Sequence, residues 1–301
     1  MLNAVGRMLK GRGLGLERLE FLRRVYRSTY HKVAPDDVAL VQVQNNQMYV
    51  NPKDEPLGRS LATEGIYEAY ETSLFRSVVK DGMTVIDIGA NVGYYTLIAA
   101  ELVGATGKVF AFEPEPGNFD LLSRNVDLNK YTNVVAIQKA VSNCTDSITL
   151  YIDQGNYGNR SLAKGNILVD GGAVEIESVS LDEFCASHLN GRRLDVLKID
   201  AQGAEGLILM GAKDTLTKHA PTIFMEFEPE MLRNVGTDPV DLLDGFSSLG
   251  YQFRLLEYQT KRLLTLEPSD LLEECKKNGY VDLFLEPTSS GSNPQSIPPQ
   301  R

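Results

Sequence analysis

Cysteine and histidine are scarce in this chain of 301 residues, which contains three of each. The cysteines (Cys144, Cys185 and Cys275) are far apart, and an odd number cannot pair completely within one chain. We therefore expect no disulfide framework and a reducing compartment, the cytoplasm. No cysteines and histidines have the spacing of zinc ligands, which argues against a zinc enzyme.

Long apolar runs are also lacking, although hydrophobic residues make up 43% of the chain. No run reaches the roughly 18 residues that a membrane-spanning helix requires. Charged residues interrupt the first 15 positions, where a signal peptide would have its apolar stretch. We therefore expect a protein that is not exported and has a core of ordinary size.

The start of the chain carries a net positive charge, in contrast to the remainder. The net charge is -10, but residues 1–32 contain eight basic and two acidic residues, so that the remainder carries -16. Such an acidic remainder argues against a nucleic-acid partner. The leucines of residues 1–32 have helical spacing, which predicts a helix packed on the core; the alternative is a basic amphipathic helix resting peripherally on an anionic membrane.

The middle of the chain alternates between strand and helix patterns, which predicts an α/β fold with a mostly parallel sheet between helices. Strands are predicted at 84–89, 108–113, 133–141, 195–200 and 222–228, and helices at 65–79, 92–102, 117–129, 204–218 and 240–249. The last two strands, 251–258 and 280–287, are predicted to pair as an antiparallel hairpin at the edge of the sheet.

Three segments fall outside this alternation. Residues 1–64 form a predicted helical and hairpin extension, with the hairpin turn at Asn45 and Asn46. Residues 65–286 then form the main domain, in which residues 146–184 are a predicted β insertion over the carboxyl edge of the sheet. Residues 287–301 are rich in Pro, Ser and Gly, which predicts a disordered tail.

The stretch VIDIGANVGYYT, residues 85–96, predicts a strand that turns at Gly89 and restarts as a helix at Gly93. In an open parallel sheet, ligands bind outside the carboxyl ends of the strands, and glycines there let a ligand approach the backbone. Asn91 occupies the middle-glycine position of a dinucleotide fingerprint, and no lysine follows as in a phosphate-binding loop. The pattern therefore disfavours a pyrophosphate ligand.

Two acidic residues indicate a different ligand. Asp87 precedes the turn, where a carboxylate would repel a pyrophosphate and attract a cation. Glu113 ends the next strand, at the position where an acid commonly accepts both ribose hydroxyls. A nucleoside that carries a sulfonium and an ammonium group, S-adenosylmethionine (AdoMet), satisfies both.

The chain resembles the FkbM-type family of AdoMet-dependent methyltransferases. The resemblance rests on DIGANVGYYT, FEPEPGNFDLLSRNVDLN, SLDEF, LDVLKIDAQGAEGLILMGA and IFMEFEP, which span residues 87–229. It implies the class I methyltransferase (Rossmann-like) fold, with seven strands of which the last is antiparallel, and methyl transfer to a hydroxyl oxygen of a sugar, glycolipid or natural product. The residues that it implies for the AdoMet pocket are Asp87, Gly89, Asn91 and Gly93, with Glu113 on the ribose and Asn118 supporting the loop.

An alcohol is a weak nucleophile, so a base is expected to take its proton. Asp200 is the first candidate because the resemblance places it beside the transferred methyl group, followed by Glu226 and Glu228, of which we expect only one to face the pocket. Family members often have Glu where Gln202 stands. This disfavours a carboxylate-bound divalent metal, and Glu205 has the alternative of capping its helix.

Further predictions concern the mouth of the pocket. Tyr67 and Glu68 are predicted to close over AdoMet, and Asn156, Tyr157 and Asn159 to bind a carbohydrate or other small-molecule acceptor. Three other functions remain open: N-methylation of a small molecule, nicotinamide-dependent oxidation or reduction, and AdoMet binding without catalysis. The sequence gives no prediction of the oligomeric state.

Overall fold

The computed structural model of the protein describes residues 37–54, 56–153 and 160–288. The predicted helix within residues 1–32, the acceptor-binding residues Asn156, Tyr157 and Asn159, and the tail from residue 289 onward lie outside the described residues. In the described part, no helix combines the length and the apolar character that are needed to cross a membrane.

Strands and helices alternate along most of the chain. The strands are β1 (Ala39–Val43), β2 (Asn46–Val50), β3 (Thr84–Ile88), β4 (Lys108–Phe112), β5 (Val134–Ile137), β6 (Ala140–Ser142), β7 (Ser147–Asp153), β8 (Arg160–Ser161), β9 (Asp170–Ser180), β10 (Val196–Ile199), β11 (Thr222–Phe227), β12 (Tyr251–Glu257), β13 (Arg262–Leu266) and β14 (Val281–Pro287). The helices are α1 (Leu57–Glu64), α2 (Ala69–Val78), α3 (Tyr94–Val103), α4 (Pro116–Leu128), α5 (Leu181–His188), α6 (Glu205–Met210), α7 (Lys213–His219), α8 (Pro229–Val235), α9 (Pro239–Ser248) and α10 (Pro268–Asn278).

The central sheet has the order β13-β12-β14-β11-β10-β3-β4-β5 in the described part of the chain. Strands β5, β4, β3, β10 and β11 are parallel, whereas β14 runs antiparallel to both of its neighbours. This is the predicted class I arrangement, in which the strand order reverses next to β3. The carboxyl ends of β3, β4, β10 and β11 therefore meet at one edge.

The sheet contains an eighth strand, β13, that the sequence analysis missed. The predicted pairing of β12 with β14 is confirmed, but these strands do not form the edge, because β14 lies between β11 and β12, and β13 covers β12. Most of β13 is exposed or only partly buried. A strand that buries so little has only a weak apolar pattern.

Two other predicted elements are divided. The predicted strand 133–141 consists of β5 and β6, and β6 leaves the central sheet to pair with β9. The predicted helix 204–218 is α6 and α7, separated at Gly211, where a Cβ would lie 2.3 Å from the carbonyl oxygen of Ser142. The close approach of the second sheet, which has the order β6-β9-β7-β8, explains both interruptions.

The core forms on both faces of the central sheet because successive strand residues point to opposite sides. On β3, Ile86 packs in one buried cluster and Val85 in the other, which also contains Val43 and Met48 of the predicted hairpin and Leu61 of α1. The β1–β2 hairpin and α1, which precede the main domain, therefore share its hydrophobic core.

Candidate active site

A cavity of ≈ 380 Å³ opens at the carboxyl ends of the central strands. It lies between these strand ends, the connection from α1 to α2, and the β insertion, which contributes Leu150, Leu162 and Leu168. Most of the predicted site residues that the structure describes line it: Tyr67, Glu68, Asp87, Gly89, Asn91, Glu113, Asn118, Asp200 and Glu226.

The glycines of the turn after β3 are required for close packing as well as for the approach of a ligand to the backbone. Gly89 has φ +78°, and a Cβ at this position would lie 1.9 Å from the carbonyl oxygen of Asp200. Gly93 has φ +94°, and its Cβ would lie 2.8 Å from Leu122. Gly93 does not line the cavity, and its lack of a side chain lets α3 begin close to α4; its place in the AdoMet pocket stays a prediction.

Glu113 is buried, with 4% of its surface exposed, at the end of β4. Its Oε2 atom accepts the N–H of Asn91 at 2.8 Å, and Oε1 accepts the N–H of Glu115 at 2.9 Å. Burial raises the pKa of Glu113 to about 7, although these two hydrogen bonds act in the opposite direction. A carboxylate offers about four acceptor positions, so Glu113 retains capacity for two hydroxyl donors from the cavity.

Asp87 and Asn118 complete this side of the cavity. The buried carboxylate of Asp87 accepts the hydroxyl of Thr96 at 2.6 Å, and burial raises the pKa of Asp87 to about 6. The N–H of Asn118 donates to Oε2 of Glu115 at 2.7 Å, so that Glu115 caps α4. The loop after β4 is thereby fixed beside Glu113.

On the opposite side, Gln202 joins the two predicted catalytic acids. Its Nε2 atom donates to Oδ1 of Asp200 at 2.9 Å and to Oε2 of Glu226 at 3.2 Å. Gln202 has φ +50°, a conformation that an L-residue keeps only when its surroundings hold it. The sequence analysis treated Gln202 only as a missing carboxylate; the structure shows it as the residue that positions both acids.

Glu228 and Glu205, two further acids of this region, are placed differently from the predictions. Both Glu226 and Glu228 line the cavity, so the expectation that only one would face it is wrong: residues two apart on a strand point to the same face. Glu205 lies outside the cavity lining and accepts the N–H groups of Ala201 and Gly203 at 3.1 and 3.4 Å. It stabilises the loop before α6 and places a negative charge in the first turn of that helix.

Lys198 is a buried cavity residue that the sequence analysis missed. Its Nζ atom lies 3.4 Å from Oε1 of Glu71, 4.0 Å from Oδ2 of Asp200 and 4.5 Å from the ring centre of Tyr95. Burial alone would lower the pKa of Lys198, but the attraction of Glu71 and Asp200 outweighs it and raises the pKa above its usual value. A lysine inside the apolar strand DVLKID was the available signal.

Asp282 is a further buried charged residue that the sequence analysis missed. It lies on β14 directly opposite Glu226 and accepts the hydroxyl of Tyr258 at 2.6 Å. Burial, followed by repulsion from Glu71, raises the pKa of Asp282 to about 7. A carboxylate in the buried strand VDLFLEP marks this position in the sequence.

No group of three or more His, Cys, Asp or Glu side chains is arranged to hold a metal ion in the part of the chain that the structure describes. The carboxyl groups nearest the cavity are instead bonded to Gln202, Tyr258, Thr96 and backbone N–H groups. The described side chains of this cavity are therefore not arranged as the ligands of a metal ion.

The topology and the acid-flanked glycine turn define a class I AdoMet-dependent methyltransferase. The family model of the FkbM methyltransferase domain matches residues 87–253, more than half of the chain. The protein therefore belongs to the FkbM family of AdoMet-dependent methyltransferases. The cofactor side of the cavity fits AdoMet, since Glu113 has free acceptor capacity and Asp87 supplies negative charge.

Curated relatives match part of the chain. Methyltransferase sdnD of Sordaria araneosa is 28% identical over 50% of this chain and 68% of its own length. Methyltransferase 1 of Beauveria bassiana is 25% identical over 44% of this chain and 60% of its own length. The hexuronic acid methyltransferase AglP of Haloferax volcanii is 27% identical over 52% of this chain and 58% of its own length.

Among solved structures, the FkbM methyltransferase from Methylobacillus flagellatus KT aligns with 71% of this chain and 50% of its own. The sequence identity is 14% and the TM-score is 0.42.

Proposed function

We propose that this protein transfers a methyl group from AdoMet to a hydroxyl oxygen of a sugar, glycolipid or natural-product acceptor. The observation that carries the proposal is the pair of acids Asp200 and Glu226, held by Gln202 in the same cavity as Glu113 and Asp87. A relative that is named a hexuronic acid methyltransferase supports a sugar acceptor.

AdoMet would supply a methyl group that its sulfonium makes electrophilic. Glu113 would accept the ribose hydroxyls, for which it retains acceptor positions, and Asp87 would face the cationic end. Asn91 and Asn118 form the wall beside them, and Tyr67 and Glu68 close the other side. The main tasks of the chain are then to align the acceptor oxygen with the methyl group and to exclude water.

Asp200 is the proposed general base. Gln202 donates to one oxygen of Asp200, which fixes the carboxylate at the end of β10 and leaves acceptor capacity for a hydroxyl proton. Burial, followed by repulsion from Asp200, raises the pKa of Glu226 well above its usual value. Glu226 lies in the same cavity and shares the Gln202 donor with Asp200, so its proposed role is to orient the acceptor.

The alternatives have different support. Membership in a methyltransferase family leaves no support for a nicotinamide-dependent oxidoreductase. N-methylation and AdoMet binding without catalysis would use the same cofactor side of the cavity as the proposed reaction. They differ from it only in the acceptor, which would be a nitrogen atom or would be absent. A cytoplasmic location stays a prediction, and contact of residues 1–32 with a membrane stays an alternative. A divalent metal is disfavoured, and addition of a chelator during turnover would test for it.

Incubation with isotopically labelled AdoMet tests the proposal. The acceptors would be hexuronic acids, neutral glycans and small metabolites, and mass spectrometry with fragmentation would locate the label. We expect the label on an oxygen of one acceptor class. Label on nitrogen would support the N-methyltransferase, and AdoMet binding without any labelled product would support a non-catalytic protein.

A further inference from the structure

The hydroxyl of Tyr94 joins three separate parts of the protein. Tyr94 is the first residue of α3, directly after the glycine turn, and is 3% exposed. Its hydroxyl accepts the N–H of Tyr67 at 3.1 Å and the side-chain amide of Gln44 at 3.2 Å, and it lies 3.0 Å from the hydroxyl of Thr72. The β1–β2 hairpin, the connection before α2 and the start of α3 therefore meet at one oxygen.

The hydrogen bonds around this oxygen form a consistent set. A phenol has one proton and accepts two hydrogen bonds, and Gln44 and the N–H of Tyr67 occupy both acceptor positions. The Tyr94 proton is then shared between the hydroxyl of Thr72 and the carbonyl oxygen of Tyr67, to which Tyr94 donates at 3.2 Å, and the Thr72 hydroxyl donates to the same carbonyl oxygen at 2.7 Å. Both backbone polar groups of Tyr67 thus depend on the Tyr94 and Thr72 hydroxyls.

The segment that these hydroxyls hold has an unfavourable backbone conformation. Gly65 ends α1 with φ +69°, and Glu68 precedes α2 with φ +42°. A glutamate in this region is strained and keeps the conformation only when surrounding contacts over-determine it. Tyr67 and Glu68 both line the cavity, and Tyr95 donates to Oε2 of Glu68 at 3.2 Å.

We infer that Tyr94 is a positioning residue for AdoMet binding: its hydroxyl holds Tyr67 and Glu68 in place against the cavity and ties them to the helix that follows the glycine turn. The inference rests on the proposed function, in which this side of the cavity receives AdoMet. It also gives the β1–β2 hairpin a role in the site through Gln44, although the hairpin precedes the matched domain.

The first test is the affinity for AdoMet of Tyr94→Phe, which keeps the ring and removes only the hydroxyl. We expect the Kd for AdoMet to rise about tenfold, the change that corresponds to one lost hydrogen bond. Thr72→Val should act in the same direction. Because both hydroxyls hold Tyr67, the double variant should lose less than the sum of the two single effects on the free energy of binding.

Tyr251→Phe is the matched control. Tyr251 is a buried tyrosine, 4% exposed, whose hydroxyl donates to the carbonyl oxygen of Pro221 at 3.1 Å, and it does not line the cavity. Its loss should lower the thermal unfolding temperature to a similar extent and leave the Kd for AdoMet unchanged. An equal loss of AdoMet affinity in Tyr251→Phe would overturn the inference, because the effect would then be general.

Hydrogen exchange of the unligated protein provides a second test that does not depend on AdoMet. Tyr94→Phe should increase exchange at Gly65–Glu68, where the N–H of Tyr67 loses its acceptor, and Tyr251→Phe should not. Unchanged exchange in Tyr94→Phe would overturn the inference. A wild-type protein that fails to bind AdoMet would overturn the proposed function instead, so that the two failures are distinguishable.

Discussion

The two walls of the cavity stabilise their acids in different ways. On the cofactor wall (Asp87, Gly89 and Glu113), two backbone N–H groups hold the carboxylate of Glu113, and the hydroxyl of Thr96 holds that of Asp87. On the acceptor wall (Asp200, Gln202, Glu226 and Asp282), side chains are the donors, namely the amide of Gln202 and the hydroxyl of Tyr258. Glu226 and Asp282 also lie directly opposite each other on adjacent strands.

This difference matches the two ligands of the proposed reaction. Backbone N–H groups are fixed by the turn that carries them, so the cofactor wall offers one geometry to a ligand that never varies. Side-chain donors can rotate, so the acceptor wall can reorganise when an acceptor brings its own hydroxyl groups. The comparison therefore predicts that substitutions on the cofactor wall reduce binding, whereas substitutions on the acceptor wall reduce turnover.

The largest expected effect is that of Asp200→Asn. Loss of the general base should lower kcat by about 10²- to 10⁴-fold and leave the Kd for AdoMet within about twofold of wild type. Steady-state kinetics and calorimetry would separate the two quantities. Asp195→Asn, at an acid that does not line the cavity, is the control. Full activity of Asp200→Asn would remove Asp200 as the base.

Glu113→Gln should have the next largest effect, on the opposite wall. One of its amide hydrogens would face a backbone N–H, and the ribose would lose a charged acceptor, so we expect the Kd for AdoMet to rise about 100-fold. The control is Asp195→Asn, because Asp195 also accepts a backbone N–H, from Thr84 at 2.9 Å, but does not line the cavity. Calorimetry that gave equal affinities for Glu113→Gln and wild type would contradict the ribose assignment.

The smallest expected effect concerns the stability of the unligated protein. Burial raises the pKa values of Asp87, Glu113 and Asp282 to about 6, 7 and 7. Between the pKa of each acid in the unfolded chain and its higher pKa in the folded protein, the folded state binds more protons. The free energy of unfolding should therefore fall as the pH rises from about 4.5 to about 7, by roughly 2 kcal/mol or more.

Denaturant titrations across this pH range measure the fall. Glu113→Gln removes one titrating group, so its stability should depend less steeply on pH than that of the wild type. A wild-type stability that increased with pH over this range would show that the buried acids are not the dominant titrating groups.

The sequence was most informative about the cofactor wall. Asp87, Gly89 and Glu113 are consecutive features of a strand–turn–helix unit and of the strand after it, so local spacing alone places them at one edge of a parallel sheet. The alternation of strand and helix patterns likewise predicted the central sheet and the antiparallel β14. Gly93 was assigned to the AdoMet pocket by the resemblance, and the structure adds that its lack of a side chain lets α3 pack closely against Leu122 of α4.

The residues of the acceptor wall were harder to predict from the sequence. Asp200 was predicted through the resemblance to a family and Glu226 from its place at the end of a strand, whereas Lys198 and Asp282 were missed, although each is a charge within a buried strand. Glu71, which pairs with Lys198, lies on α2, and Glu226, which faces Asp282, lies on β11, so that only the packing of α2 on the sheet and the order of the strands bring these residues together.

The sequence by itself therefore determined the fold class, the family and the acids that flank the glycine turn, because these depend on short-range patterns of hydrophobicity, glycine and charge. Only the tertiary structure decided that Gln202 joins Asp200 and Glu226, that Lys198 is paired with Glu71, and that the hydroxyl of Tyr94 is bonded to Tyr67 before α2. Each of these contacts depends on a turn conformation, a strand order or the packing of a helix on the sheet, and none of these can be obtained from local pattern alone.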